Sequence, residues 1–428
     1  MQVVVHGSTL SAATAATALS MVGHRVHWWP HPDTPFERLE ESEWLNSEPG
    51  LKAQLDQARA QGSLTICDKQ SGLPRANIYW LALDPDKHDY ARDWVQTVLA
   101  KEKGEFVIVN NSTFPIGYTE TLSNLFTRPG QACVALPDML EEGRAMAMFT
   151  RPTRILLGSD DEFAIKQIRE LLRAFNRRED SFQLMPCKAA EFTKLAIIGM
   201  LATRISYMNE LASLADTMNV DVEVVRRGMG ADPRIGHQYL YPGCGFGGPN
   251  FAQHLTRLSE IQAEKGRDSQ LMQQVLDINE HKKETLFRKL WQHYEGQLAG
   301  KTVAIWGASF KPHTASIDNA PSIALMQALF AQGVKVQVHD PMALPRLKEF
   351  FGDHPLLTLA NSAYEACDGA EALLLVTEWK GYWNPEWQRL STLLKTPLIL
   401  DGRNIYDPAY VADKGFIYRG IGRRADPR

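Results

Sequence analysis

The first third of the chain alternates short apolar runs with helical stretches. QVVVHG (2–7) is a continuous apolar run, TLSAATAATALSMVG (9–23) is a helix of small residues closing at Gly23, and HRVHWW (24–29) is a second run. Strands buried on both faces give such runs, and a helix between two of them predicts a parallel βαβ unit. Further strands are predicted at ANIYWLAL, EFVIVNN and TRILLG. We therefore expect a doubly wound domain over residues 1–185.

The pattern then changes to long helices and back again. Apolar residues recur at helical spacing over 189–218, which is longer than an average globular helix. A helical domain is expected over 186–297, and the long helix is of the kind that bridges domains or forms a dimer seam. The runs KTVAIWGASF, KVQVHD, ALLLVTEW and PLILDGRN restore the alternation over 298–428. The predicted class is α/β, with two doubly wound, Rossmann-like domains joined by a long central helix and helical domain.

Composition narrows the possible partners. The chain has 428 residues, 44% hydrophobic and 22% charged, with a net charge of −4. It has no basic run for nucleic acid, no apolar run long enough for a membrane span and no secretory signal at its start, so we expect a cytoplasmic protein. Five cysteines are scattered without metal-ligand or disulfide spacing, so no metal site is expected.

One loop draws attention to possible chemistry. The stretch YLYPGCGFGGPNFAQHL (239–255) is rich in glycine, aromatic residues and proline, which is typical of a loop that lets its backbone approach a ligand closely. The nearest reactive candidates in it are Cys244, Asn250 and His254. The loop either performs chemistry or only holds a ligand.

Eight segments in order along the chain resemble the UDP-glucose/GDP-mannose dehydrogenase family, with the UDP-glucose branch closer. They are NNSTFPIG, LPDMLEEG, EFTKLAIIGMLA, ADPRIGHQYLYPGCGFGG, GASFKPHT, VHDP, VTEW and DGRN. The resemblance implies two successive NAD-dependent hydride removals at the sugar C6. In that family a cysteine thiolate traps the aldehyde, a thioester forms, and water hydrolyses it.

The substrate side of the resemblance is largely present. Glycines let backbone amides reach a ligand, while lysine and arginine suit a sugar diphosphate. The resemblance also gives an arginine that reaches a neighbouring subunit's sugar. The alternative is that the glycines are turns and the cations are solvated surface charge. The family's substrate-binding positions are Arg234, Tyr239, Gly243, Gly245, Phe246, Gly247, Gly248, Lys311 and Arg403.

The catalytic side departs from the family. Asn250 stands where the family has its nucleophilic cysteine, His254 replaces an aspartate, and Ile198 replaces an asparagine that supports the oxyanion. A carboxamide has no accessible anionic form and cannot make a thioester. Cys244 would need a rebuilt loop to replace the lost thiol. The matching positions are Thr113, Glu142 and Lys194, with Asp138 a shortened version of a family glutamate.

Lys194 also allows a structural interpretation. Glu191, Lys194 and Ile198 fall on one face of the long helix. That face is either core, with Lys194 paired to a carboxylate, or the remnant of a catalytic surface.

The dinucleotide side is altered at several family positions. The glycine turn reads Gly7-Ser8-Thr9-Leu10-Ser11-Ala12, so Thr9 puts a branched side chain where bare backbone meets pyrophosphate. Pro30 replaces the acid at the end of the second strand, and Asp318 stands where the family has an arginine. NAD, which the family uses, is therefore expected to bind weakly or not at all. Arg25 lies at the start of the second strand and not at its end, so it gives little support for NADP.

These features predict a noncatalytic relative that binds a UDP-sugar and acts as a sensor, a regulator or a partner subunit, with polysaccharide biosynthesis as the expected setting. Like the family, it is expected to form a homodimer. The competing hypothesis is an active, NAD-dependent nucleotide-sugar 6-dehydrogenase with a remodelled, cysteine-independent site using Lys194 and His254. A third possibility is a structural protein with neither ligand.

Overall fold

The computed structural model describes residues 1–34, 36–67, 72–177 and 181–427. The chain divides into two compact units, Met1–Ala196 and Ile197–Arg428, here called the N-terminal and C-terminal units. Each unit is built around one sheet.

The described residues of the N-terminal unit form a sheet of eight strands with helices between them. The strands are β1 Gln2–His6, β2 Arg25–Trp29, β3 Leu64–Ile66, β4 Ile78–Leu81, β5 Phe106–Asn110, β6 Gln131–Ala135, β7 Ile155–Gly158 and β8 Phe182–Met185. The helices are α1 Leu10–Met21, α2 Phe36–Glu40, α3 Glu43–Ser47, α4 Leu51–Ala60, α5 His88–Lys101, α6 Tyr118–Ser123, α7 Ala145–Thr150 and α8 Glu162–Leu171, with 3₁₀ turns at Pro85–Lys87 and Arg173–Phe175.

The strand order of this sheet is β3-β2-β1-β4-β5-β6-β7-β8. The described pairs are parallel except β6 with β7. Alternate residues of each strand enter opposite apolar clusters: Val3 and Val5 lie on one face and Val4 on the other. Strands β4 and β5 are buried along their whole length and are mainly apolar, as the sequence predicted, whereas β2 alternates buried and more exposed positions.

The predicted long helix is confirmed as α9, Cys187–Met218. The remaining helices are α10 Val222–Ala231, α11 Pro249–Glu264, α12 Gln270–Lys283, α13 Thr285–His293, α14 Pro321–Ala331, α15 Leu344–Phe351, α16 Ala363–Cys367, α17 Trp387–Leu393 and α18 Pro408–Asp413, with a 3₁₀ turn at Lys380–Tyr382.

The C-terminal unit holds a sheet of seven strands among its described residues. They are β9 Thr302–Trp306, β10 Lys335–His339, β11 Leu357–Leu359, β12 Leu373–Leu375, β13 Leu398–Asp401, β14 Ile417–Gly420 and β15 Arg424–Ala425. The order is β11-β10-β9-β12-β13-β14-β15, parallel except for β14 with β15. The predicted α/β class with two doubly wound sheets and a helical central region is confirmed.

In both sheets a ligand site is expected at the edge formed by the carboxyl ends of the strands. In each sheet the first strand lies beside the strand where the order reverses, β1 beside β4 and β9 beside β12. Ligands of open α/β sheets bind outside the carboxyl ends of strands at such points. No helix among the described residues is both long enough and apolar enough to cross a membrane.

Candidate functional site

Two buried asparagines hold the glycine-rich loop of residues 239–248 in the C-terminal unit. Asn209, on α9, accepts a hydrogen bond from Gly243 N–H at 2.8 Å. Asn279, on α12, accepts from Phe246 N–H at 2.7 Å and donates to Phe246 O at 3.0 Å. Both asparagines are fully buried, so these bonds fix the loop backbone. Sequence reasoning missed them; the available signal was a lone amide on the apolar face of a helix.

The double glycine of the loop packs against its own protein. A Cβ on Gly247 would lie 2.8 Å from Asn319 O and 2.9 Å from Ala320 Cα. Gly248 has a φ of +86°, and a Cβ there would lie 2.7 Å from the Phe310 ring. Bare backbone at these two positions is therefore required by internal contacts, whatever ligand approaches the loop.

Arg403 ties the loop to the second sheet. Its Nε donates to Val376 O at 2.7 Å, and its Nη1 donates to Gly245 O at 3.3 Å. Its backbone N–H donates to Asp401 Oδ1 at 2.9 Å, which fixes the turn after β13. Glu378 forms an ion pair with the guanidinium at 3.2 Å. The Arg403 side chain is 16% exposed, so its charge lies at the carboxyl edge of the sheet with limited access to water.

Lys311 is a second cation beside the same loop. Its Nζ lies 5.5 Å from the centroid of the Phe310 ring, the ring that packs against Gly248. Tyr239 opens the loop in a left-handed conformation, with a φ of 58°. The structure thus brings Arg403 to the loop and places Lys311 next in the chain to Phe310, whose ring packs against the loop.

Arg234 and Asp318 are exposed charged positions of the same unit. Arg234 is 86% exposed and binds Asp232 at 2.6 Å, and this pairing lowers the pKa of Asp232. Asp318 leaves its side chain exposed while its carbonyl accepts from Gly248 N–H at 2.7 Å. Asp318 therefore has a backbone role in holding the loop that its side-chain chemistry did not suggest.

The three candidates for chemistry in the loop region have different environments. Asn250 is exposed at the start of α11, and His254 is buried one turn later. Cys244 is 1% exposed, and its Sγ lies 3.8 Å from Val376 O. Burial raises the pKa of the Cys244 thiol, so the thiol is a core group and a poor nucleophile.

Lys194 and Thr113 meet in the N-terminal unit. The Lys194 Nζ donates to Thr113 Oγ1 at 2.5 Å. The lysine is 6% exposed, and burial lowers its pKa, while the carboxylate of Asp138 opposes that shift. Glu191, one turn earlier, accepts from Gly117 N–H at 2.5 Å and so holds the turn after Thr113. This face of α9 contains both a buried lysine bonded to a hydroxyl and a carboxylate that holds a turn.

A buried carboxylate fixes the backbone beside Glu142. Glu48 is 3% exposed and accepts from Gly143 N–H at 2.5 Å and Ala145 N–H at 2.7 Å. Burial raises the pKa of Glu48, against the effect of these bonds. Sequence reasoning did not single out Glu48, because its partners lie nearly a hundred residues away.

The turn after β1 is closed by side chains. A Cβ on Gly7, whose φ is +139°, would lie 1.9 Å from Ala82 O, so only glycine fits. Thr9 caps α1: its Oγ1 accepts from Ala12 N–H at 3.2 Å and donates to Ala82 O at 2.9 Å. The cap uses one of the amides that a helix N-terminus otherwise offers to an anion.

The segment after β2 also bonds to this turn. Pro30 and His31 are both buried. The Ser8 hydroxyl accepts from His31 N–H and donates to Thr34 O, both at 2.8 Å. The described residues thus contain no carboxylate at the position of Pro30, and the turn is bonded to residues 31–34 instead.

Two parallel-dominated sheets, each with a glycine at the end of its first strand, define an α/β protein of the Rossmann class, a fold in which nucleotides commonly bind. The NAD binding, central and UDP binding domains of the UDP-glucose/GDP-mannose dehydrogenase family match residues 1–176, 188–281 and 304–408. The chain belongs to this family.

Similar proteins extend over the whole chain. The UDP-glucose 6-dehydrogenase of Pseudomonas aeruginosa is 36% identical, covering 99% of this chain and 98% of its own. A UDP-glucose 6-dehydrogenase of Bacillus subtilis is 29% identical over the same shares. The structure of a UDP-glucose dehydrogenase from Pyrobaculum islandicum superposes with a TM-score of 0.84 at 25% identity, covering 98% of this chain and 97% of its own.

Proposed function

We propose that this protein binds a UDP-sugar through its C-terminal unit and does not carry out the oxidation of the sugar to an acid. The observation that carries the proposal is the contrast within one region. Lys311 and Arg403 flank a loop held by internal hydrogen bonds, whereas Asn250, at the start of the following helix, offers a carboxamide. Anion-binding groups suit a nucleoside diphosphate.

The proposed loss of oxidation follows from the groups that remain. A thioester requires a thiolate close to the sugar aldehyde, and Asn250 cannot supply one. The Cys244 thiol is buried against Val376 with a raised pKa, so it does not replace the missing nucleophile. His254 can act as a base, but without a thioester it has no hydrolysis to assist.

We also propose that NAD binds weakly or not at all. A dinucleotide diphosphate needs bare backbone and free amides at the start of α1, and Thr9 caps that helix instead. Pro30 offers no acceptor for ribose hydroxyls. Asp318 brings an exposed negative charge where the family has an arginine. The residues present therefore do not fit the dinucleotide.

The proposed organisation follows the family. Three domains, 1–185, 186–297 and 298–428, would be a dinucleotide-type domain, a dimerising helical domain and a UDP-sugar domain. The homodimer would use α9 and bring Arg234 to its partner's sugar site. We propose a cytoplasmic role as a sensor, a regulator or a partner subunit of an enzyme of polysaccharide biosynthesis.

An enzymatic alternative rests on one observation. Lys194 is buried with a lowered pKa and is bonded to Thr113, as a group that handles protons on a sugar oxygen would be. An active dehydrogenase would then use Lys194 and His254 without a cysteine.

Titration calorimetry with UDP-glucose and NAD separates these functions. We expect UDP-glucose to bind and NAD to give no heat. Binding of both with NADH formation supports the enzymatic alternative, and silence with both indicates a structural protein. Tight NAD binding together with steady production of a uronic acid overturns the proposal.

The Asn250→Cys variant tests how far the loss extends. Because the dinucleotide site is also altered, we expect this variant to gain a reactive thiol without gaining full oxidation. The thiol is measured by alkylation and mass spectrometry, and the oxidation by absorbance of NADH. Restoration of full oxidation by this single change would contradict the proposed loss of NAD binding.

A further inference from the structure

The start of α1 contains hydroxyl side chains that are all bonded within the chain. Thr9 bonds Ala82 O, and Ser8 bonds the segment after β2. Ser11, in the first turn of the helix, donates its hydroxyl to the carboxylate of Asp138. Of these three contacts, the one made by Ser11 is to a charged group.

Asp138 is fixed by its own backbone. Its Oδ1 accepts from Leu140 N–H at 2.9 Å, a bond to the residue two positions on. Aspartate forms this local turn readily, and the longer glutamate does not. The shortened acid is therefore held pointing at Ser11, with the buried cation of Lys194 near enough to interact with it electrostatically.

We propose that the Asp138 carboxylate is an internal anion that takes the place of a bound phosphate at the N-terminus of α1. A helix N-terminus attracts negative charge, and here the chain supplies that charge itself. An incoming diphosphate would meet a carboxylate of the same sign close to the amides it needs. This inference rests on the proposed function and adds the residue that closes the dinucleotide site.

The inference predicts that removing one charge opens an anion site. Asp138→Asn keeps Oδ1 to accept from Leu140 N–H and places an amide NH2 that can donate to the Ser11 hydroxyl oxygen, but it removes the negative charge. We expect this variant to bind inorganic pyrophosphate about tenfold more tightly than the parent protein, the scale of a partly screened like charge at close range. Affinity is measured by calorimetry at low salt, with thermal unfolding in pyrophosphate as a second measurement.

The matched control is Asp161→Asn. Asp161 caps α8 in the same unit by accepting from Ala164 N–H at 2.8 Å, and α8 follows β7, which β4, β5 and β6 separate from β1 in the sheet. This change also removes one negative charge at a helix N-terminus, and we expect no gain in pyrophosphate affinity. An equal gain in both variants would indicate a general charge effect and overturn the inference.

Ser11→Ala decides the question if Asp138→Asn does not fold. The Ser11→Ala variant keeps the negative charge of Asp138 but removes the hydrogen bond that holds the carboxylate at α1. We expect its affinity for pyrophosphate to be about threefold higher than that of the parent protein. The inference is contradicted if a folded Asp138→Asn or Ser11→Ala variant binds pyrophosphate no more tightly than the parent protein. By contrast, NADH formation by the unaltered protein would refute the proposed function, whatever Asp138→Asn does.

Discussion

At the scale of single residues, position and surroundings decide what a side chain can do. Cys244 is the only thiol of the glycine-rich loop, yet burial against Val376 makes it a core group. Arg403 does two jobs, because it bonds Gly245 O and also keeps a charge at the sheet edge. The burial of Cys244 could not be predicted from the sequence, because it depends on strands far along the chain.

Arg403→Ala should weaken UDP-glucose binding about ten- to a hundredfold. A hydrogen bond to a charged group contributes about 1.5–3 kcal/mol, and each 1.4 kcal/mol is about tenfold in affinity. Titration calorimetry gives the dissociation constants. The control is Arg389→Ala, an exposed arginine of the C-terminal unit paired with Glu386. A dissociation constant for Arg403→Ala within about twofold of the parent's would remove Arg403 from the proposed site.

At the scale of elements, apolar runs located most of the strands and the parallel pairing of β1 with β2, but not the full strand order. Strands β1, β2 and β4 and helix α1 lie inside the predicted segments. Strands β3 and β6 were not predicted, because β3 is only three residues long and β6, QACVA, consists mostly of residues with little strand preference. The antiparallel pairing of β6 with β7 is set by the path of the chain between them, which leaves no local pattern.

The packing of α12 on α9 gives a prediction about pH. Lys282 is buried and donates to the Ser213 hydroxyl, and burial lowers its pKa to about 8 from the usual 10.5. Between these values the folded protein binds fewer protons than the unfolded chain, so the free energy of unfolding rises as the pH is raised from 8 to 10.5. Over this pH range the lowered pKa of Lys282 adds about 3 kcal/mol to the free energy of unfolding, and the Lys282→Met variant should lack this increase.

Chemical denaturation across this pH range measures the difference. The control is Lys265→Met, an exposed lysine of the same unit, whose stability curve should run parallel to that of the parent. Parallel stability curves for the parent and Lys282→Met would show that the pKa of Lys282 is not lowered in the folded protein.

At the scale of the whole molecule, the long helix exposes an apolar stripe. Met200, Tyr207 and Leu214 are spaced by seven residues, with Met218 four further on, and they are 61%, 55%, 53% and 62% exposed. Residues seven apart lie on one face of a helix, and an exposed face of this kind favours a helical partner. We interpret the stripe as the seam of the proposed homodimer.

Tyr207→Glu should convert the proposed dimer to a monomer, because it buries a charge in the middle of the stripe. Size-exclusion chromatography with light scattering gives the mass directly. Phe350→Glu is the control, because this aromatic side chain on α15 is 54% exposed and lies outside α9. A monomeric parent, or a Tyr207→Glu variant that stays dimeric, would contradict the use of this face.

The sequence by itself determined the two α/β sheets, the long helix and the family, because apolar period and motif order are local properties of the chain. It also supplied the candidate residues, including Asn250 and Thr9. Only the tertiary structure decided that Asn209 and Asn279 hold the loop and that the Asp138 carboxylate bonds Ser11 at α1. The reason is physical: hydrogen bonds and burial join residues tens to hundreds of positions apart, and their partners are fixed only when the chain folds.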